Sequence, residues 1–141
     1  PLTLEWLETW GVPVIGVGTD DFPAFYSRES GLKAPIRLDS PAEIAALLRQ
    51  QDVLGYSSGT LIANPIPEAW SLPFEEMNAI IEKSIKEADS QGIAGKALTP
   101  FLLKRITELT AGKSLASNIE LVKNNAALTA QVAVEYGGLG R

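Results

Sequence analysis

An α/β fold is predicted by three features of this 141-residue sequence. Short, nearly continuous apolar runs at residues 12–18 and 60–64 have the length and β-branched content of buried strands. Longer segments repeat apolar residues every three to four positions, the period of an amphipathic helix. Glycine and proline punctuate the chain so that strands and helices alternate along it. A hydrophobic content of 45% is ample for one core, and the length gives no reason to expect a second domain.

Taken in order, Pro1 to Glu8 reads as a helix with Leu4, Leu7 and Trp10 on one face. No methionine precedes Pro1, and the chain is expected to enter its domain part-way. Gly11 ends the helix, and Val12 to Gly18 forms a buried strand. A polar and aromatic loop, Thr19 to Gly31, leads to a second extended piece, Ala34 to Leu38. Ser40-Pro41-Ala42-Glu43 then supplies an N-cap, a proline at the first helical position and a reciprocal acid at the third. This helix is expected to run to about Gln51 and to bury Ile44, Leu47 and Leu48.

Thr60 to Asn64 reads as another strand, stopped by Pro65 and Pro67. Residues 73–91 form an amphipathic helix with Met77, Ile80, Ile81, Ile85 and Ala88 inward, broken by Gly92 and Gly95. Thr99-Pro100 caps a helix over 100–111 with Leu102, Leu103, Ile106 and Leu109 on its apolar side. Gly112 ends that helix, Ser114 caps the last one, and Gly137-Gly138 terminates it. Two or three strands against five helices make a poor open sheet, because its edges would be left unpaired. More sheet is expected from sequence outside this chain or from a partner.

Composition narrows the function. A net charge of −5 disfavours binding to a nucleic-acid polymer, which needs clustered lysine and arginine. There is no histidine, so no imidazole can act as base or metal ligand, and no cysteine, which excludes disulfides and fits a cytoplasmic location. Neither a signal peptide nor a membrane-spanning run is visible. Gly112-Lys113-Ser114 looks like the end of a phosphate-binding loop, but Thr107 stands where a glycine is required and a helix precedes it. Gly16-Val17-Gly18 follows a strand but lacks the third glycine of a dinucleotide fingerprint.

Two features are candidates for a site. On the last helix, at about 100° per residue, Leu115, Val122, Ala126, Val132 and Ala133 share a side with Asn118, Asn125 and Thr129. A buried amide without a partner costs roughly 1–3 kcal/mol, so these asparagines should bind either a ligand or the backbone of a neighbouring loop. Asn124 points to the polar side and is expected to be solvated. The loop Thr19 to Gly31 follows a strand, where open α/β sheets place ligands. It offers Thr19, the acids Asp20 and Asp21 with no visible partner, Arg28, and Phe22 and Phe25, which equally could pack on the core.

At these residues the chain resembles a known family. Gly18-Thr19-Asp20-Asp21-Phe22-Pro23-Ala24-Phe25-Tyr26-Ser27, Ala63-Asn64-Pro65-Ile66-Pro67, Thr99-Pro100-Phe101-Leu102-Leu103 and the run Ser114-Leu115 to Asn118-Ile119, Leu121-Val122 and Asn124-Asn125-Ala126 carry the likeness. In order and spacing they resemble the carboxyl-terminal half of pseudouridine-5′-phosphate glycosidases, the indigoidine synthase A-like family. The resemblance implies a three-layer α/β/α domain with a mixed sheet, of which residues 1–141 are the carboxyl-terminal half. It implies a homotrimeric enzyme of the carbon–oxygen lyase class using a divalent ion, typically manganese. The reaction is reversible cleavage of the C-glycosidic bond of pseudouridine 5′-phosphate to uracil and ribose 5-phosphate.

A carbon–carbon glycosidic bond has no heteroatom leaving group to protonate, so the usual pair of carboxylates is inadequate. The family uses a lysine that forms an adduct with ring-opened ribose. That lysine, the general-acid glutamate and the metal-binding aspartate all correspond to sequence upstream of Pro1, so this chain alone is expected to be inactive. Asn118 matches the asparagine expected to hydrogen-bond uracil, whose edge needs both a donor and an acceptor. Asn125 is the expected second contact or orienter, with Thr129, Thr19 and Asp20 as further substrate-side candidates. The alternatives are a non-catalytic module of the same fold that binds a pyrimidine nucleotide, or a structural one.

Overall fold

The computed structural model describes residues 2–140 and has an α/β fold. Its strands are β1 (Val14–Val17), β2 (Ile36–Leu38) and β3 (Leu61–Ala63). Its helices are α1 (Leu2–Thr9), α2 (Pro41–Val53), α3 (Phe74–Ser90), α4 (Leu98–Leu109) and α5 (Lys113–Gly138). Pro1 of the expected opening helix lies outside the described residues. The strands pair in the order β2-β1-β3, all parallel, with Ile15 opposite both Ile36 and Ile62. Among the described residues the one antiparallel pairing is an isolated bridge from Asp21 to Lys33. β1 is central because Val14 and Ile15 are apolar enough to be buried almost completely.

Helix α2 starts as its sequence dictates. The Ser40 hydroxyl accepts from the Glu43 amide at 3.3 Å, and the Glu43 carboxylate accepts from the Ser40 amide at 2.9 Å. Such a box stabilises a helix start by about 1 kcal/mol. The helix then lays Ile44 and Ala45 on the sheet, packed with Val17, Leu38 and Ile62 below and with Leu128, Val132 and Tyr136 of α5 beside them. Leu48 joins this cluster at its rim. One layer of the fold is therefore the α2–α5 pair.

A second cluster joins α3, α4 and the loop after β1. Tyr26, Met77 and Ile106 are buried together, with Leu72, Ile80, Ile81 and Leu102 around them. The loop is fastened there: the Ser27 hydroxyl donates to the Leu72 carbonyl at 2.7 Å, and the Arg28 guanidinium donates to the Ile66 carbonyl at 2.7 Å. Tyr26 is thus the aromatic that packs on the core, whereas Phe25 is half exposed and touches the Tyr26 ring edge-on.

Several local expectations need correction. Ser114 does not cap α5; Gly112, at φ +85°, does, because a left-handed turn that glycine adopts freely folds α4 directly into α5. Ser114 lies inside the helix, buried against Thr110. Thr99 does not cap α4, which begins at Leu98 out of a 3₁₀ turn over Gly95–Ala97, leaving Thr99 and Pro100 in the first turn. On α3 the innermost line is Met77, Ser84 and Ala88, which turns Ile85 outward; Ser84 satisfies its hydroxyl on the Ile80 carbonyl at 2.8 Å. Leu103 likewise sits on the rim of α4.

Between α3 and α4, Arg105 grips Glu87 with two hydrogen bonds, 2.5 Å from Nε and 3.1 Å from Nη2, and reaches Glu108 at 3.1 Å. The hydrogen bond from Arg105 is the main reason that the Glu87 carboxyl is held below its ordinary 4.5. A lowered carboxyl stabilises the fold above its unfolded value, and that contribution is lost as pH falls through the folded one. The stability difference between wild type and Glu87→Gln, read by urea unfolding, is therefore expected to be present at pH 7 and to shrink steadily below about pH 4.5. A difference independent of pH would show that the pair contributes nothing through its charge.

Candidate functional site

Because all three strands are parallel, their carboxyl ends lie at one end of the sheet, and each feeds a polar segment there. β1 leads to Thr19 and Asp20, β2 to Asp39, and β3 to Asn64. The geometry after β1 is a closed turn, in which the Thr19 hydroxyl accepts from the Asp21 amide at 3.0 Å. Asp20 is not partnerless: Arg37 donates to it at 3.1 Å and to Asp39 at 2.7 Å. Asp21 pairs with Lys33 at 2.6 Å. These acids are held by cations of the neighbouring strand segment, and no acid–acid pair for proton transfer is formed by them.

The asparagines of α5 fall differently from the expectation. The inward face of α5 is Ser114, Ser117, Leu121, Leu128 and Val132. Leu115 and Val122, expected inside, are exposed, and so are Asn125, Ala126, Thr129 and Ala133; Asn118 is half-buried. The observed inward line is turned by about 90° from the expected one because it holds serines and Asn124, which apolarity alone passes over. Asn124, expected in solvent, is the amide that ties down a loop: its Nδ2 donates to the Pro65 carbonyl at 3.1 Å. Ser117 does the same for the Trp70 carbonyl at 2.8 Å.

Asn125 meets a partner that sequence reasoning treated only as the end of a strand. Asn64 Nδ2 donates to Asn125 Oδ1 at 3.0 Å, joining the end of β3 to the middle of α5. The bond uses one donor of Asn64 and one acceptor site of Asn125, so the pair keeps an acceptor and further donors for a ligand. Thr129 turns back on its own helix, its hydroxyl donating to the Asn125 backbone carbonyl at 2.8 Å. Asn64, Asn125 and Thr129 line one side of a cavity of about 760 Å³ between β3, α2 and α5, with Ile62, Leu128 and Tyr136 among its apolar walls. The signal in the sequence was Asn64-Pro65 directly after a strand.

Asn118, Thr19 and Asp20 do not line that cavity. Asn118 lies on the same side of α5 as Asn125, two turns toward its start, about 10 Å along the axis. One turn before it, a buried hydroxyl cluster roots the helix: Thr110 Oγ1 donates to Ser114 Oγ at 2.9 Å, and Tyr26 hydrogen-bonds Ser114. Burial pushes the Tyr26 phenol above its ordinary 10, so it stays protonated. Among the described residues no group of three or more acidic, histidine or cysteine side chains converges to hold a metal ion. The manganese implied by resemblance thus finds no fitting ligand set among the described residues. No helix of the described residues is long and apolar enough to cross a membrane.

The profile of the family described as "Indigoidine synthase A like protein" matches residues 1–135. The chain belongs to that family. Among its relatives is a pseudouridine-5′-phosphate glycosidase of Methylobacterium nodulans, 58% identical over 138 residues, which are 98% of this chain and 41% of that protein. Another, of Solibacter usitatus, is 55% identical over 133 residues, 94% of this chain and 44% of the relative. The chain spans less than half the length of these curated relatives. Of solved structures, an indigoidine synthase A-like protein from Thermotoga maritima superposes with a TM-score of 0.84 at 33% identity, over 94% of this chain and 44% of that one. The prealnumycin C-glycosynthase AlnA, solved in complex with ribulose 5-phosphate, gives 0.80 at 27% identity, over 99% of this chain and 47% of its own.

Proposed function

We propose that this chain is the carboxyl-terminal half of a single-domain pseudouridine-5′-phosphate glycosidase. The observation that carries the reading is 58% identity, over nearly the whole chain, to a protein of that name. The reaction it assigns is reversible scission of the carbon–carbon bond between uracil and ribose 5-phosphate, as a lyase. The chain's own part is recognition. Asn118 presents both a donor and an acceptor to the uracil edge. Asn125, oriented by Asn64, is the second amide on that side of α5. Thr129, Thr19 and Asp20 stand as outer contacts of the same substrate.

The bond-breaking groups, a lysine that forms an adduct with the opened sugar and its acid partner, come from the upstream half, as does the ligand for manganese. These, the homotrimer and the cytoplasmic location rest on the resemblance in the four motifs. A phosphorylated nucleotide does not cross membranes unaided, which suits an interior site.

The test is Asn118→Ala in the intact enzyme, assayed for uracil release from pseudouridine 5′-phosphate with manganese. Activity is expected to fall at least tenfold, about 1.4 kcal/mol of transition-state stabilisation, with an unchanged melting temperature. Wild-type turnover in this variant would remove Asn118 from the site.

A further inference from the structure

We propose that the joint between α4 and α5 is a positioning device for base recognition: Thr110 and Ser114, locked together across a left-handed turn and held by Tyr26, set where α5 presents Asn118. This rests on the reading that Asn118 meets the uracil edge, and it names the residues that act through Asn118. Ser117 and Asn124, before and after it on α5, fasten to the Trp70 and Pro65 carbonyls. Among the described residues the Asn118 amide has no such partner, so its place is decided by the helix that carries it.

The joint is strained. Ala111 has φ +49°, the one positive value among the described residues other than glycine, and Gly112 follows at +85°. A left-handed alanine crowds its Cβ against the backbone and persists only where its surroundings hold it. The Thr110 hydroxyl does the holding. It accepts from the Ser114 amide at 3.1 Å, taking up one of the orphan N–H groups at the start of α5, and donates to the Ser114 hydroxyl at 2.9 Å. The Gly112 amide, donating to the Thr107 carbonyl at 2.9 Å, closes the turn. Ser114 and Tyr26 are both buried, and the hydrogen bond between them ties the joint to the loop after β1.

Three hydroxyls from three segments thus meet where apolar groups would fill the volume as well. What the hydrogen bonds add is angle, because apolar packing tolerates a small turn of a helix about its axis and directional bonds resist it. The lever to the site is short. Asn118 lies about one turn beyond Ser114 on the same helix, about 6 Å along the axis. An amide about 5 Å from the axis moves about 0.9 Å when the helix turns by about 10°. Displacements of about 1 Å in a positioned group cost up to about 100-fold. Loosening the joint is therefore expected to weaken contact with the base and to spare the sugar, whose lysine comes from the upstream half.

The test runs the intact enzyme with manganese in the synthetic direction, where uracil and ribose 5-phosphate have separate KM values. Thr110→Val keeps the shape of the side chain and removes the hydroxyl. The KM for uracil is expected to rise about fivefold or more, with the KM for ribose 5-phosphate within about twofold of wild type. Thr110→Ser, which restores the hydroxyl, should return the uracil KM to within about twofold. Tyr26→Phe leaves the ring packed with Met77 and Ile106 and removes only its oxygen, and the same split is expected from it. In an Asn118→Ala background, Thr110→Val should add nothing. A rise in both KM values together, no rise in either, or a further loss in that background would overturn the proposal. Wild-type kinetics in Asn118→Ala alone would instead remove the uracil reading of Asn118, and this inference with it.

Discussion

Gly16→Ala is expected to destabilise the fold by about 3 kcal/mol or more. A methyl group on Gly16 would stand 2.5 Å from the Thr19 carbonyl oxygen and 2.9 Å from the Ala34 methyl. The first of these is backbone, and it belongs to the tight turn that Gly18 anchors by donating to the Leu38 carbonyl at 2.9 Å. The clash therefore has no flexible side chain to relieve it, and either β1 leaves the sheet or the Thr19–Asp20 turn moves. Gly59 is the fitting comparison, since a methyl group there meets nothing within 4 Å. Equilibrium urea unfolding should show Gly59→Ala within about 0.5 kcal/mol of wild type and Gly16→Ala far below it. Equal stabilities would mean that the turn after β1 is not packed as described.

The second large effect is expected from Ile44→Ala. Ile44 is completely buried where α2 crosses the sheet, packed in the cluster with Val132 of α5 and Ile62 of β3. Truncation removes about three methyl or methylene groups and leaves a void that three elements cannot all close, for a loss of about 3 kcal/mol. The unfolding midpoint should fall with an unchanged slope. Ala46, two positions on, faces solvent, and Ala46→Ser should change the unfolding free energy by less than about 0.5 kcal/mol. A small effect at Ile44 would mean that α5 does not bear on α2.

The order of elements was readable because local signals and global fold agree. The capping box at Ser40 and Glu43, the prolines after β3 and the apolar run of β1 each act within a few residues. What was misread depends on contacts distant in sequence. The helical wheel of α5 ranked sides by apolarity, whereas the side that meets the fold is chosen by Ser117 reaching Trp70 and Asn124 reaching Pro65. Asp20 and Asp21 looked partnerless because Arg37 and Lys33 arrive from the other end of a loop. The pairing of Asn64 with Asn125 was invisible for the same reason: each residue looks ordinary until β3 and α5 are laid together.

The all-parallel sheet also sets an order of assembly. A parallel pair needs a long crossover before its first hydrogen bond, and Ile15 must find both Ile36 and Ile62. α3 and α4, by contrast, are separated by only a short turn and pack through Met77 and Ile106. Loop-closure entropy therefore places the α3–α4 hairpin early in folding and the sheet late. Asn64 and Asn125 meet only when that late step brings β3 against α5, so the binding geometry is among the last features of the chain to form.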